Sequence, residues 1–169
     1  MHQITPVTNT SLINATSELA QKIWQQHYLP IIGQAQIDYM LDKFQSPQAI
    51  EKQIAEGQLY YLVGTNNDYS GYLALVPEPV EKKLKISKIY VDIQQRGAGY
   101  GKMMFDFTKQ FAIDNKLQTI WLTVNKDNDK SINWYKNQGF ILVKEVVADI
   151  GKGYVMDDYI LEYQLTAKT

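Results

Sequence analysis

The sequence predicts an α+β, or mixed α/β, fold built around one sheet. Helical patterns dominate the first third of the chain, strands and helices then alternate, and two strands around a glycine turn close it. The predicted elements add up to about seven strands and about five helices. At 169 residues and 45% hydrophobic content, the chain has enough apolar side chains for the core of one domain, so we expect a single domain over residues 1–169.

The first third of the chain predicts a weak strand and three helices. Pro30 interrupts the apolar helical spacing of the first helix, so we expect that helix to end before it. In the third helix Ser46 is the expected N-cap, Pro47 occupies the first helical position and Gly57 is the stop. The predicted bounds are a strand over His2–Val7 and helices over Leu12–Leu29, Gln34–Phe44 and Ser46–Gly57.

The remaining elements follow from apolar runs separated by turn residues. The turn-rich TNNDYS segment predicts a hairpin, and Gly139 is the expected stop of the last helix. The helix after the glycine-rich loop carries an apolar stripe that we expect to be buried: Met104, Phe107, Phe111 and Ala112. The predicted strands are Gln58–Val63, Gly71–Val76, Leu84–Val91, Thr119–Val124, Phe140–Val147 and Tyr154–Leu165, with helices over Gly101–Lys116 and Asp129–Gln138.

Composition excludes several classes of protein. A formal net charge of -1 with scattered lysines argues against a nucleic-acid binder, which needs a basic face. The chain has no cysteine and only two histidines, so we expect no disulfide, no cysteine nucleophile and no metal. The N-terminus lacks a signal pattern and no apolar run reaches membrane-spanning length. We therefore expect a cytoplasmic protein with no membrane partner.

The segment IYVDIQQRGAGYGK, from Ile89 to Lys102, is the most informative part of the chain. It predicts a strand, a loop with three alternating glycines and the start of a helix. Such glycines let backbone N–H groups approach an anion, and the helix N-terminus adds its positive dipole end. Arg96 is the only arginine in the chain, and its planar fork suits phosphate oxygens. A tight strand-to-helix turn would also need glycine, so the loop alone leaves both readings open.

Two familiar nucleotide motifs do not fit this loop. The Walker pattern fails because Met103, not Ser or Thr, follows Lys102, and because the glycines are too closely spaced. The dinucleotide fingerprint fails because GAGYG is G-x-G-x-G and the next strand ends at Asn125 without an acid for a ribose.

A second segment, NKDNDKSINWYKNQGF, follows the Thr119–Val124 strand. Asn128, Ser131 and Tyr135 fall at i, i+3 and i+7 and so share one helix face. In this order and separation, the two segments resemble the GNAT superfamily of acyl-CoA-dependent N-acetyltransferases. The family's loop pattern [QR]-x-x-G-x-[GA] is met by Arg96, Gly99 and Gly101; the alternative register of Gln94, Gly97 and Gly99 leaves Gly101 and Lys102 unused. The second pattern is completed by Gly139 and Phe140.

The resemblance implies a mostly antiparallel sheet with a splayed parallel pair and acetyl-CoA as co-substrate. Backbone near Tyr90 and Val91 would pair with the pantetheine arm like an added strand. Asn128 and Ser131 would line the same ligand, although a helix cap and a small packing residue are their ordinary roles. The backbone expected to hold the pyrophosphate belongs to Arg96, Gly97, Ala98, Gly99, Tyr100, Gly101 and Lys102.

The implied chemistry is direct attack of a neutral amine on the thioester carbonyl. The resemblance assigns a backbone N–H near Val91 to the oxyanion and the Tyr135 hydroxyl to the leaving thiolate. Many GNAT enzymes carry a glutamate on the strand before the loop, but LKISKIY contains no carboxylate here. A solvent chain or an acid elsewhere, such as Glu78, Asp157 or Asp158, is then the expected base. His27 has a suitable intrinsic pKa, although a solvated or capping role is the commoner one.

The expected acceptor is a small-molecule amine. GYVMDDYILEY and the YML segment resemble a branch of the family that includes polyamine acetyltransferases, and paired carboxylates suit a polycation. Asp157 and Asp158 interrupt the strand pattern, which predicts a bulge or a substrate-facing pair; otherwise neighbours on a strand point to opposite faces. His27 and Glu78 complete the candidate substrate-binding residues. An aminoglycoside, an amino-acid-like amine or a protein N-terminus stays open, and so does a homodimer.

Two other functions remain open at this point. The missing strand glutamate favours a non-catalytic acyl-CoA-binding sensor, against which the retained Tyr135 counts. An O- or thio-acyl transfer enzyme is the second.

Overall fold

The structure is a computed structural model, and it describes residues 2–165. Its seven strands are β1 (Gln3–Pro6), β2 (Leu59–Thr65), β3 (Asp68–Glu78), β4 (Lys83–Val91), β5 (Thr119–Asn125), β6 (Ile141–Gly151) and β7 (Tyr154–Gln164). Its five α-helices are α1 (Thr10–Ile32), α2 (Gln34–Gln45), α3 (Pro47–Ala55), α4 (Tyr100–Asp114) and α5 (Asp129–Gln138). A 3-10 turn, Ile93–Gln95, joins β4 to the glycine loop.

The strands form one mixed sheet in the order β1-β2-β3-β4-β5-β7-β6. The pairs β1–β2, β2–β3, β5–β7 and β6–β7 are antiparallel, whereas β4 and β5 run parallel. The register of the parallel pair joins Lys83–Lys85 with Thr119–Trp121. The predicted mixed α/β class, with seven strands, five helices and one parallel pair, is confirmed.

Contacts divide the chain into two compact units, and each has its own apolar core. The first contains the chain up to Val76 together with Lys88–Thr108, and the second contains Pro77–Ser87 together with the chain from Lys109 onward. Fully buried side chains of the first unit include Ile23, Leu62 and Tyr72; those of the second include Leu84, Ile120 and Leu161. The single domain over residues 1–169 stays a prediction.

Several predicted helix ends are present because local chemistry decides them. The Ser46 side chain accepts a hydrogen bond from the Ala49 N–H at 3.2 Å, with Pro47 in the first helical position. Gly139 ends α5 in the left-handed region, at φ 110°.

Three local predictions are wrong in part. Pro30 does not end α1, which continues to Ile32, because a proline this near the C-terminus costs only one late helical hydrogen bond. The predicted hairpin between β2 and β3 is confirmed, but its turn is shorter than TNNDYS, since in that segment only Asn66 and Asn67 take positive φ and β3 begins at Asp68. In α4, Met104 and Ala112 are buried as predicted. Phe107 and Phe111 are only half-buried, and Phe105 and Thr108 complete the buried stripe instead.

Candidate active site

The loop between β4 and α4 is exposed and has a backbone that favours glycine. Gly97 and Gly99 have φ of 85° and 90°, and a Cβ atom at either position would meet no heavy atom within 4 Å. Glycine is therefore required here for conformation and not for close packing. Gly101 lies in the first turn of α4, outside the left-handed region.

The first turn of α4 presents backbone N–H groups at its N-terminus. The Met103 N–H donates to the Gly99 oxygen at 2.9 Å, so the N–H groups of Tyr100, Gly101 and Lys102 precede the first helical bond. The Tyr100 side chain is buried, and its hydroxyl lies 3.0 Å from His2 Nδ1, so Tyr100 could offer a ligand only its backbone. This arrangement suits an anion at the helix N-terminus.

Three contacts hold the start of the loop against α1. The Lys22 ammonium lies 2.7 Å from Asp92, the Ile93 N–H donates to the Gln26 side chain at 3.3 Å, and Arg96 Nη2 lies 3.0 Å from His27 Nδ1. Because a guanidinium only donates, His27 Nδ1 is the acceptor and the ring is neutral in this contact. The His27 side chain is half-buried and hydrogen-bonded to Arg96.

Asp92 is the buried acid at the base of this loop. Burial raises its pKa, but the hydrogen bonds from Lys22 and the Gln94 N–H outweigh that effect, so the pKa lies below its usual range. The Asp92 N–H also donates to the Ser70 oxygen at 2.8 Å, which ties the end of β4 to β3. The loop therefore starts from a rigid, ionised anchor.

The C-terminal end of β4 carries Tyr90 and Val91, both half-buried. The Tyr90 ring packs against Trp24 and Tyr72, with ring centroids 5.7 Å and 5.2 Å away. Gly71 on β3 allows this strand to approach, because a Cβ there would lie 2.6 Å from the Tyr90 carbonyl oxygen.

Lys88 has an environment that the sequence pattern did not reveal. Its side chain is buried, and the ammonium contacts the Phe44 carbonyl and Gln53 Oε1, each at 2.8 Å, and the Tyr60 hydroxyl. Burial lowers the pKa of Lys88 to about 7. The available signal was its spacing, since Lys88 continues the buried alternation of Leu84 and Ile86 along β4.

In the second unit, α5 places the residues of the second motif. Asn128 is buried and is the N-cap of α5, accepting from the Ser131 N–H at 3.4 Å, so its predicted capping role is confirmed. Tyr135 is 8% exposed, with its ring edge-on to Trp134 and Phe140. Ser131 is half-buried beside this cap.

The three candidate acids of this unit have different environments. Glu78 accepts a hydrogen bond from Trp121 Nε1, and Asp157 is exposed with an ion pair to Lys126 at 2.8 Å. Asp158 is buried instead, and burial followed by the charge of Asp157 raises its pKa to about 6.

The bulge expected at these aspartates is absent, and their assignment to substrate binding stays a prediction. Asp157 pairs with Val147 and Asp158 with Val146 in consecutive register, whereas the bulges of this hairpin fall at Leu142/Lys144 and Asp149/Gly151. Because successive strand residues alternate, the two carboxylates point to opposite faces.

Metal ligands and membrane spans can be checked over the same residues. Between residues 2 and 165, no three or more His, Cys, Asp or Glu side chains come together in a way that could hold a metal ion. Within that range, every helix is too short or too polar to cross a membrane.

Comparison with known proteins identifies the class. The profile of the acetyltransferase (GNAT) family matches residues 16–140. The streptothricin acetyltransferase of Streptomyces lavendulae is 28% identical over 90 residues, which cover 53% of this chain and 48% of that protein. An uncharacterised N-acetyltransferase of Lactobacillus delbrueckii subsp. lactis is 25% identical over 101 residues, covering 56% and 58%. The chain spans about half the length of these curated relatives.

Solved structures share the fold over nearly the whole chain. The PaiA N-acetyltransferase of Thermoplasma acidophilum, solved in complex with coenzyme A, superposes with a TM-score of 0.81 at 15% identity over 98% of this chain and 99% of that one. The ribosomal-protein-S18-alanine N-acetyltransferase of Escherichia coli gives a TM-score of 0.73 at 15% identity over 100% and 97%. The chain belongs to the acetyltransferase (GNAT) family. The predicted family and fold are confirmed, and so, at the level of the family, is the class of enzyme.

Proposed function

We propose that the chain transfers the acetyl group of acetyl-CoA to a primary amine of a small molecule. The observation that carries the proposal is the exposed loop in which Gly97 and Gly99, both at positive φ, lead into the N-terminus of α4. That backbone suits a pyrophosphate, and the structural neighbour from Thermoplasma acidophilum was solved with coenzyme A.

The cofactor-binding residues follow from this placement. Backbone N–H groups from Arg96 to Lys102 hold the pyrophosphate, and the end of β4 at Tyr90 and Val91 offers backbone groups to the pantetheine amides. The Arg96 guanidinium, already bonded to His27, adds positive charge beside the loop. Asn128 and Ser131 are assigned to the same ligand by their motif positions, in addition to the capping bond between them.

The proposed reaction is direct attack of the amine on the thioester carbonyl. A backbone N–H near Val91 stabilises the oxyanion, and the Tyr135 hydroxyl donates a proton to the leaving thiolate. Burial of Tyr135 supports this role because a hydroxyl held by packing has little freedom to adopt other orientations.

A cationic acceptor, such as a polyamine, is the finer part of the proposal. An open groove on α1 and α2 carries Asp38 and Asp42 beside Gln21 and Gln25, which suits ammonium groups. The relative from Streptomyces lavendulae is named for streptothricin, which supports a small-molecule acceptor. Cytoplasmic location and homodimer formation stay predictions.

Release of the CoA thiol across a panel of amines, alcohols and thiols tests the proposal. We expect acetyl-CoA turnover with at least one primary amine and none with alcohols or thiols. Turnover only with alcohols or thiols would contradict N-acetylation. Tight CoA binding without turnover of any acceptor would instead establish a non-catalytic sensor, which the lack of a carboxylate at Lys85, Ser87 and Lys88 on β4 favours.

A further inference from the structure

Asp158 has an unusual environment for an ionisable side chain. It is 4% exposed, and within the described part of the chain its Oδ1 atom has no hydrogen-bond partner. A buried carboxylate normally has every oxygen paired, because an unpaired charge away from water is costly. An unpaired buried oxygen of this kind points to a ligand that donates to it.

The sheet register shows which face holds this carboxylate. Asp158 lies opposite Asn125 of β5 and Val146 of β6, and directly opposed residues of antiparallel strands share a face. Thr123, two residues before Asn125, lies on the same face, is exposed, and its hydroxyl forms a hydrogen bond to the Asp158 carboxyl. The buried oxygen therefore adjoins a solvent-accessible position.

Lys85 of β4 lies on this face, and the sheet register places Lys83 of β4 and Lys144 of β6 on it as well. Lys85 pairs in parallel register with Trp121, and its ammonium lies over the indole ring, 5.0 Å from the centroid. Its charge lowers the pKa of Asp158, as does the hydrogen bond from Thr123, without cancelling the effects of burial and of Asp157. Across β6 the facing residue is Val146, which is uncharged.

Neighbouring acids in this unit differ from Asp158 because they already have donors. Glu78 is bonded to Trp121, Asp157 to Lys126, and Glu162 lies 3.4 Å from Lys83. We propose that Asp158 Oδ1 receives the ammonium group of the acceptor and takes one of its protons, which makes Asp158 the general base that β4 lacks. This rests on the proposed acetyl transfer.

The proton and electron balance of the step is complete. One N–H bond of the ammonium breaks, its electron pair stays on nitrogen, and an O–H bond forms on Asp158. The neutral amine then forms the C–N bond, the C–S bond breaks, and the thiolate takes the Tyr135 proton. The surplus proton on the amide nitrogen restores Tyr135, and Asp158 releases its proton to solvent. At a pKa of about 6, Asp158 is a carboxylate at neutral pH and so can accept the proton.

The test compares Asp158→Asn with Asp149→Asn, the same change at an exposed aspartate of β6 in the same hairpin. The acceptor is 1,3-diaminopropane, and kcat/KM is measured between about pH 6 and pH 9. We expect Asp158→Asn to lower kcat/KM by about 100-fold at pH 7 and to recover about tenfold per pH unit, because the fraction of neutral amine then limits the rate. Asp149→Asn should follow the wild type, because asparagine keeps the Oδ1 atom that accepts from the Gly151 N–H. Asp158→Glu should restore part of the activity.

Stability and binding measurements distinguish the possible failures. Asp158→Asn should bind CoA in calorimetry like the wild type, and diaminopropane should raise the Tm of the wild type but not of Asp158→Asn. An Asp158→Asn variant with wild-type kcat/KM, or with a loss equal at every pH, overturns the proposal. If the wild type turns over no amine, the proposed acetyl transfer is wrong. In that case the Tm measurement alone decides whether Asp158 binds an ammonium group.

Discussion

At the scale of single residues, the two side chains most informative about chemistry are Tyr135 and Lys88. Tyr135 is placed by a motif and packed between Trp134 and Phe140. Lys88 is placed by an alternating strand and is surrounded by acceptors from α2, α3 and β2. Both side chains are buried, so we expect removal of one polar atom from Tyr135 to change turnover and from Lys88 to change stability. The two effects can be measured separately.

Replacing Tyr135 by Phe tests its role as proton donor. If the hydroxyl protonates the leaving thiolate, Tyr135→Phe should lower turnover by about ten- to ten-thousand-fold with CoA affinity nearly unchanged. Release of the CoA thiol measures turnover, and calorimetry measures CoA affinity. Tyr159→Phe, which removes a hydroxyl from a half-buried residue of β7, is the control. Normal turnover in Tyr135→Phe would reduce the tyrosine to a packing residue.

Lys88 predicts a pH dependence of stability. Its pKa is lowered to about 7 in the fold, so above that pH the unfolded chain still binds a proton that the folded chain has released. The free energy of unfolding should therefore rise with pH from about 7 towards the ordinary lysine pKa. Burial raises the pKa of Tyr60 well above its usual value, so Tyr60 stays neutral across this window.

Urea denaturation of Lys88→Met at several pH values checks this dependence. The variant leaves the Phe44 carbonyl and Gln53 Oε1 without their donor, which should cost about 1–3 kcal/mol at pH 9 and less at pH 7. The rise with pH should disappear in Lys88→Met and persist in a variant of exposed Lys52. A rise of equal size in Lys88→Met would show that other groups cause it.

At the scale of elements, the loop from Asp92 to α4 combines local and tertiary determinants. The glycines of this loop are required only for their backbone conformation. The position of the loop depends on its three contacts with Lys22, Gln26 and His27 of α1. An anion site of this kind needs both, because backbone N–H groups bind only when their direction is held.

Gly99→Glu tests whether this loop binds CoA. The substitution adds strain at φ 90° and a negative charge beside the expected pyrophosphate, so CoA binding in calorimetry should fall by at least about 100-fold. Gly153→Glu is a matched control, because Gly153 has φ of 80° and an equally open surrounding in the β6–β7 turn. Equal CoA affinity in Gly99→Glu and the wild type would place the pyrophosphate elsewhere.

At the scale of the whole molecule, family membership supports the proposed acetyl transfer and leaves the acceptor to be measured. If the acceptor is a polyamine, kcat/KM for spermidine should exceed that for butylamine by about tenfold or more, because additional ammonium groups form charge-assisted bonds with carboxylates. The preference should shrink as salt is added, since exposed carboxylates such as Asp42 are screened. Equal values for the two amines would remove the polyamine assignment and leave acetyl transfer intact.

The sequence by itself determined the order of elements, the ends set by Ser46 and Gly139, the glycine loop that leads into α4 and the family resemblance. These depend on backbone preferences and spacing over a few residues, which act before any distant contact forms. The helix end expected before Pro30 was wrong because a proline near a helix C-terminus removes only one late hydrogen bond. Phe107 was misplaced because neighbouring elements decide which side of a helix is covered.

Only the tertiary structure decided the environments of the ionisable groups. Nothing in the strand patterns distinguishes Lys88 and Asp158 from their neighbours. Their environments come from segments far away along the chain, such as Phe44 for Lys88 and Thr123 for Asp158. The same holds for the contact between His27 and Arg96. Desolvation and charge act through space, so the residues with shifted pKa values become visible only when the strands and helices are assembled.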